Sequence, residues 1–154
     1  YTMKLAEALS KRSQLMEKVS QLKVRLNDCI KVQEGDVPAE SPDSVIKELD
    51  RTLEELGSLI YHINLTNTLT EVEGQTITSL LAMRDVRSMK VKTLGEALKV
   101  LTEREDRYNR NEIRFVRTVD VKDFRHIYDR SAAELRELDL RIQALGWTTE
   151  LIEK

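Results

Sequence analysis

Apolar residues spaced three or four positions apart run along four long segments of this chain, and arginines are the main interruptions. This spacing keeps side chains on one face of an α-helix, so it predicts long helices that pack along their length, as in coiled coils. It indicates an architecture and no particular reaction. The first three series are Leu5, Ala8, Arg12, Leu15, Val19, Leu22, Leu26, Cys29; then Ile46, Leu49, Leu53, Leu56, Ile60, Ile63, Asn67; and Ile77, Leu80, Arg84, Arg87, Val91, Leu94, Leu98, Leu101.

Turn-forming residues separate the predicted helices. Glycine, prolines and acidic side chains between Glu34 and Asp43 interrupt the first pair, and Gly74 lies between the second and third helices. Gly146 is expected to end the fourth helix in a left-handed conformation. The spacing and these signals predict helices over about 4–30, 43–68, 76–106 and 121–146.

One segment departs from the helical period. Residues 113–119 are rich in β-branched and aromatic side chains, which favours a short extended strand. A strand needs a partner for its backbone donors and acceptors, and Ile30–Gln33 is the other segment with β character expected near the same end. We therefore predict a small antiparallel pairing between residues 30–33 and 113–119.

The predicted class is all-α, in a single helical domain that spans residues 1–154. Long helices joined by short connections pack as antiparallel neighbours. The pattern is compatible with two arrangements, and both add the small β pairing near one end. One is an antiparallel four-helix bundle, and the other is a set of paired long hairpins with coiled-coil-like packing that complete their cores in an oligomer.

Composition limits the function classes. The formal net charge of −2 predicts no general attraction to nucleic acid or to an acidic membrane surface. The single cysteine, Cys29, lies at an apolar position of the first series, which favours a buried thiol and excludes an internal disulfide. Neither a long uncharged apolar run nor a signal-peptide pattern is present, so we expect a cytoplasmic protein without membrane contact.

The sequence predicts no catalytic residue, metal site or cofactor. His62 and His126 lie on different predicted helices and have no second ligand at a zinc-binding spacing. The five glycines are scattered and form no phosphate-binding loop. We therefore predict a protein that is not an enzyme.

The polar interruptions of the apolar series form a first candidate site. An antiparallel order of the helices would bring them toward one end of the bundle. A buried guanidinium needs a carboxylate, a subunit interface, solvent or a bound anion, so they predict a polar layer or an anion site. The five residues are Arg12, Arg84, Arg87, Asn64 and Asn67.

An arginine-rich segment between the third and fourth helices forms a second candidate site. Guanidinium groups beside aromatic rings are used to bind single-stranded nucleic acid. Acidic residues between Glu34 and Asp43 are expected near the same end, so ion pairs between the two connections are favoured over RNA binding. The candidate nucleic-acid residues are Arg104, Arg107, Tyr108, Arg110, Arg114, Phe115 and Arg117.

Six short motifs are distributed along the chain: Met3–Leu9, Val32–Gly35, Asp106–Tyr108, Thr118–Val121, Ile142–Ala144 and Trp147–Leu151. Together they resemble a family of small, uncharacterised bacterial helical proteins, some of which are labelled septicolysin. The resemblance extends over essentially the whole chain from Met3 onward. It implies a bacterial helical protein and provides no catalytic residues, whereas the septicolysin label would imply a cytolysin.

The long apolar faces favour one functional class over the others. We expect a non-enzymatic structural or interaction protein that associates with itself as a homo-oligomer, with any other protein partner unknown. An RNA-binding helical module that uses the arginine-rich segment is the alternative. A septicolysin-like cytolysin is a further and weaker alternative.

Overall fold

The computed structural model of the protein describes residues 1–103 and 113–154. Four helices dominate these residues, which confirms the predicted all-α class with a small antiparallel β pairing. The elements are α1 (Leu5–Cys29), α2 (Pro42–Leu69), β1 (Glu71–Val72), β2 (Gln75–Thr76), α3 (Ile77–Thr102) and α4 (Val121–Thr148).

The chain divides into two compact units. The first unit contains Tyr1–Ile77 and Gln143–Lys154, and the second contains Thr78–Ile142. The sequence predicted a single domain, and both α3 and α4 have residues in both units. Each unit is described by itself.

An antiparallel hairpin of α1 and α2 forms most of the first unit. Lys11 pairs with Glu55 at 3.0 Å and Lys18 with Glu48 at 3.8 Å, so residue numbers rise along α1 as they fall along α2. Cys29 is buried beside Leu22, as its apolar position predicted. Burial of the apolar seam between the helices stabilises the pair.

The buried side of α2 differs from the predicted one. Three members of the predicted series, Ile46, Leu53 and Ile60, are exposed. Two of the buried positions hold threonines, whose hydroxyls donate to carbonyls one turn earlier in the same helix and so need no solvent. Those polar residues obscured the apolar spacing of the true seam, which is Val45, Thr52, Leu59, Ile63 and Thr66.

The β pairing lies at a different place from the predicted one. Strands β1 and β2 form a hairpin in which Glu71 faces Thr76. Its two-residue turn has positive φ at Glu73 (53°) and Gly74 (79°), the conformation that matches the twist of a tight hairpin. The predicted strand at residues 113–119 and its expected partner, residues 30–33, are not strands in the structure.

The C-terminal tail contacts the start of α1 and the end of α2. The Leu5 amide donates to the Thr149 carbonyl, and the Leu151 amide donates to the Met3 carbonyl, both at 2.8 Å. The Ile152 amide donates to the buried Thr66 hydroxyl, also at 2.8 Å. Three backbone donors therefore fix the tail to both helices.

Gly146 does not end α4, which was the predicted role. The helix continues to Thr148, and a Cβ at Gly146 would lie 3.4 Å from the Ala6 Cβ. The glycine therefore allows a close approach of α4 to α1.

In the second unit, α3 and α4 run antiparallel. Arg84 and Arg87 of α3 contact residues late in α4, whereas Gly95 contacts Tyr128 near its start. A Cβ at Gly95 would lie 3.3 Å from the Tyr128 ring, so the glycine leaves room for an aromatic side chain. The first turn of α4 is capped by Asp120, whose carboxylate accepts from the Asp123 amide at 3.0 Å.

Candidate functional site

The predicted polar layer divides between the two units. In the second unit, Arg84 Nε lies 3.9 Å from Asp139 Oδ1, and Arg87 Nη1 donates to the Glu134 carbonyl at 3.3 Å. Both guanidinium groups therefore contact polar groups of the neighbouring helix. Arg12 and the two asparagines belong to the first unit. There Arg12 and Asn67 are half-buried and Asn64 is exposed.

The arginine-rich patch is only partly described. Arg104, Arg107, Tyr108 and Arg110 lie outside the described residues. The other three, Arg114, Phe115 and Arg117, lie in an exposed segment without regular secondary structure.

The described part of the arginine-rich segment contacts α3 through a side chain that donates to the α3 backbone. Arg117 Nε donates to the Leu101 carbonyl at 3.1 Å. Phe115 is 73% exposed, so its ring is free to stack on a ligand. Glu40, an acidic residue that was expected to pair with these arginines, instead accepts two hydrogen bonds from Arg25 of its own unit.

Ion pairs cover one side of the α1–α2 hairpin. Arg25 is its most highly connected member, since its guanidinium donates to Glu40 and also to Glu48 at 3.0 Å. We call this side the ion-pair face; its members on the two helices are Lys11, Lys18, Arg25, Glu48 and Glu55.

The ion-pair face makes the hairpin sensitive to acid. Hydrogen bonds from Arg25, and then its charge, lower the pKa of Glu40 and of Glu48 below the ordinary 4.5, against an opposing effect of desolvation. The same contacts raise the pKa of Arg25. Both carboxyl pKa values are lower in the folded state. The two carboxylates therefore stabilise the folded state above about pH 4.5. This stabilisation is lost as the pH falls through their pKa values in the folded protein.

The opposite side of the hairpin is apolar and exposed. Met16 of α1 lies away from Lys11 and Lys18 on the helix surface, and Ile46, Leu53 and Ile60 recur at intervals of seven along α2. These four side chains are between 38% and 54% exposed. We call this side the open face; its members are Met16, Ile46, Leu53, Gly57 and Ile60.

Helix α3 also carries a second apolar series, on the side away from its buried residues Leu80 and Leu98. Three of its members, Val86, Met89 and Val100, are between 65% and 71% exposed. We call this series the outer stripe; it comprises Ala82, Val86, Met89, Thr93, Ala97 and Val100. Apolar side chains on opposite sides are typical of an α-helix that is buried on both sides.

Two negative observations hold for the part of the chain that the structure describes. Its histidine, cysteine, aspartate and glutamate side chains form no group of three or more that could hold a metal ion. Nor does it contain a helix that is both long enough and apolar enough to span a bilayer.

Helical hairpins with charged and apolar faces place the chain in the class of small all-α proteins. The sequence model of a family described as a family of unknown function (DUF6847) matches residues 12–151. The chain belongs to this family.

A solved structure supports the same assignment. It is described as the crystal structure of a functionally unknown conserved protein from Corynebacterium diphtheriae, with 41% identity and a TM-score of 0.91. The alignment covers 99% of this chain and 100% of that chain. No curated protein matches the chain. The comparisons thus support the predicted resemblance to an uncharacterised bacterial family, and neither description mentions septicolysin.

Neither the open face nor the outer stripe was predicted from the sequence as a separate surface. For α2, the signal was present in the heptad of Ile46, Leu53 and Ile60, but it was assigned to the core. For α3, the outer series was hidden behind the stronger inner one. A test for a second apolar series on each helix would have identified both surfaces.

Proposed function

We propose that the protein is a non-enzymatic helical protein that associates with copies of itself. The observation that carries this proposal is the open face of the α1–α2 hairpin, where Met16, Leu53 and Ile60 are exposed. Large apolar side chains grouped on one surface are typical of protein contact sites. The outer stripe of α3 is a second surface of the same character.

Light scattering coupled to size-exclusion chromatography tests the proposal. A stable species of at least twice the chain mass of 17.8 kDa is expected at micromolar concentration. A mass that stays at the monomer value throughout the micromolar range would count decisively against self-association.

RNA binding is the second candidate, and one observation favours it. Arg117, Lys122 and Arg125 outnumber the single acidic residue, Asp120, in the lining of a cavity of about 540 Å³ where α4 begins. Arg117 belongs to the exposed segment that also carries Phe115. Basic groups beside an exposed ring suit phosphates and unstacked bases. A fluorescence-anisotropy titration with single-stranded RNA should then show affinity that falls with salt and is lost in Arg114→Glu plus Arg117→Glu. No binding at low salt would remove this candidate.

The remaining expectations rank below these two. A cytoplasmic location is proposed from the sequence pattern and is tested by cell fractionation. Cytolysis follows only from the septicolysin resemblance, and the absence of lysis in a haemolysis assay with the purified chain would remove it.

A further inference from the structure

We infer that the open face of the α1–α2 hairpin binds the same face of a second copy, with α1 of each copy lying over α2 of the other. The inference rests on the proposed self-association and specifies its surface and symmetry. Three observations support it: the area of the face, the charges along it and an unexplained glycine. The position of Arg12 provides a separate test of the arrangement.

The open face has the size that a stable dimer needs. Helix α1 has 25 residues, which makes it about 37 Å long at 1.5 Å per residue. Two helices side by side are about 20 Å wide, so the hairpin offers roughly 700 Å². A standard protein interface buries about 800 Å² on each partner. The opposite side is already occupied by the ion-pair face.

Charges along the face select one arrangement of the two copies. On α1 the charged side chains toward this side are basic, Arg12 and Lys23, whereas the outer edge of α2 carries Asp43 and Asp50 beside Lys47. A twofold axis parallel to the helices lays the basic helix of one copy over the acidic helix of the other. The alternative axis, perpendicular to the helices, would lay α1 over α1 and give up this complementarity.

The ion pairs within each hairpin also define which residues lie at the same height. Because Lys18 faces Glu48, Lys23 lies level with Asp43. A twofold axis parallel to the helices preserves these heights. Lys23 of one copy therefore comes level with Asp43 of the other, and the dimer contains this pair twice.

This arrangement explains why position 57 is a glycine. A glycine in a helix interior destabilises the helix relative to alanine. Within the single chain, a Cβ at Gly57 would meet no atom within 4 Å, so no internal packing explains the residue. The position lies between Leu53 and Ile60 on the open face, where a missing side chain lets another helix approach closely.

Arg12 has a defined place in the same dimer. Its side chain is half-buried on the side of α1 between the hairpin seam and the open face. A twofold axis parallel to the helices brings both Arg12 side chains to the same height beside the axis. Two like charges in a partly buried position repel each other, so Arg12 weakens the dimer that the apolar side chains form.

Equilibrium sedimentation of the full chain and four groups of variants tests the inference. Leu53→Glu places a charge at the centre of the face and should weaken the dimer at least about 100-fold. Met89→Glu makes the same change on the outer stripe and should leave the open-face dimer intact. Circular dichroism and thermal melting confirm that each variant is folded, and Leu53 is exposed enough to tolerate the change in a monomer.

The remaining variants test the symmetry. Lys23→Glu and Asp43→Lys should each weaken the dimer about tenfold, since two rim pairs are lost, and the double variant should restore most of the affinity. Arg12→Leu should strengthen the dimer by about tenfold through loss of the repulsion. The inference is overturned if Arg12→Leu weakens association or if the double charge reversal restores nothing.

The experiment separates this inference from the proposed function. A wild-type chain that is monomeric at every concentration removes both. An oligomer that persists in Leu53→Glu and is lost in Met89→Glu removes the open-face dimer but leaves self-association in place through the outer stripe. A dimer lost only in Leu53→Glu supports both.

Discussion

Replacing Thr66 by valine should weaken the attachment of the C-terminal tail without changing the shape of the core. Thr66 is fully buried, and its hydroxyl has two partners. It donates to the His62 carbonyl at 2.7 Å and accepts from the Ile152 amide at 2.8 Å. Valine keeps the branched shape and removes both hydrogen bonds, which leaves the tail amide without an acceptor.

The chain contains a matched control for this substitution. Thr52 occupies an equivalent buried position two heptads earlier in α2, and its hydroxyl donates to the Glu48 carbonyl at 2.8 Å. The structure shows no tail amide bonded to Thr52. Thr52→Val therefore removes only the side-chain hydrogen bond to the Glu48 carbonyl. In each variant, the carbonyl that loses the hydroxyl keeps its hydrogen bond within the helix backbone.

The difference between the two variants isolates the tail contact. An unsatisfied buried donor costs about 1–3 kcal/mol. Ile152 is only half-buried, and water can reach part of the tail, so about 1–2 kcal/mol is expected for Thr66→Val. Thr52→Val should change the free energy of unfolding by less than about 0.5 kcal/mol.

Urea unfolding followed by circular dichroism measures both values. Both substitutions are made in the Leu53→Glu background, so that association does not contribute. Amide hydrogen exchange at Ile152 provides a local measurement, and its exchange should accelerate in Thr66→Val alone. Equal free energies for the two variants, with unchanged exchange at Ile152, would refute the proposed role of the tail contact.

Three further predictions concern charge, backbone and thiol chemistry. Arg25→Gln should flatten the loss of stability below about pH 4.5, because the pKa values of its two partner carboxyls then return toward the ordinary value; acid titrations that match the wild type would contradict this. Gly57→Ala, made in the monomeric Leu53→Glu background, should raise the free energy of unfolding by about 0.5–1 kcal/mol, whereas Gly95→Ala should gain less because its Cβ would press on a tyrosine ring at 3.3 Å. Cys29 should react slowly with a thiol reagent in the folded protein and rapidly in denaturant, and fast reaction in the native state would show that the thiol is accessible.

The four helices could be predicted because their apolar spacing extends over many turns. The face of α2 could not, since Thr52 and Thr66 hold core positions that a search for apolar residues passes over. Their hydroxyls bond within the helix, so burial costs little, and the adjacent Ile46, Leu53 and Ile60 then mimic a seam. A threonine whose hydroxyl donates to a carbonyl of its own helix can thus occupy a core position in place of an apolar residue.

The strand prediction failed because local preference does not provide a partner. Residues 113–119 have the composition of a strand, yet a strand also needs a neighbouring backbone to complete its hydrogen bonds. The observed pairing is the two-residue hairpin around Glu73 and Gly74, which is too short to show an alternating pattern. Its Gly74 was recognised as a turn, but a turn alone does not distinguish a loop from a hairpin.

The candidate sites were predicted as residue types and only partly as contacts. Helix spacing placed Arg84 on the side of α3 that meets α4, but side-chain reach decided its contact with Asp139. The contact of Glu40 with Arg25 was not predicted, since it depends on the bend after α1 that returns Glu40 to this helix. Contacts that depend on the path of a connection could not be obtained from spacing alone.

The open-face dimer is tested most directly by the mass of the full chain from light scattering, beside that of Leu53→Glu, at the same micromolar concentration. We expect about twice the 17.8 kDa chain mass for the wild type and a folded monomer for the variant. Equal masses for the two proteins would contradict the claim that the open face joins two copies.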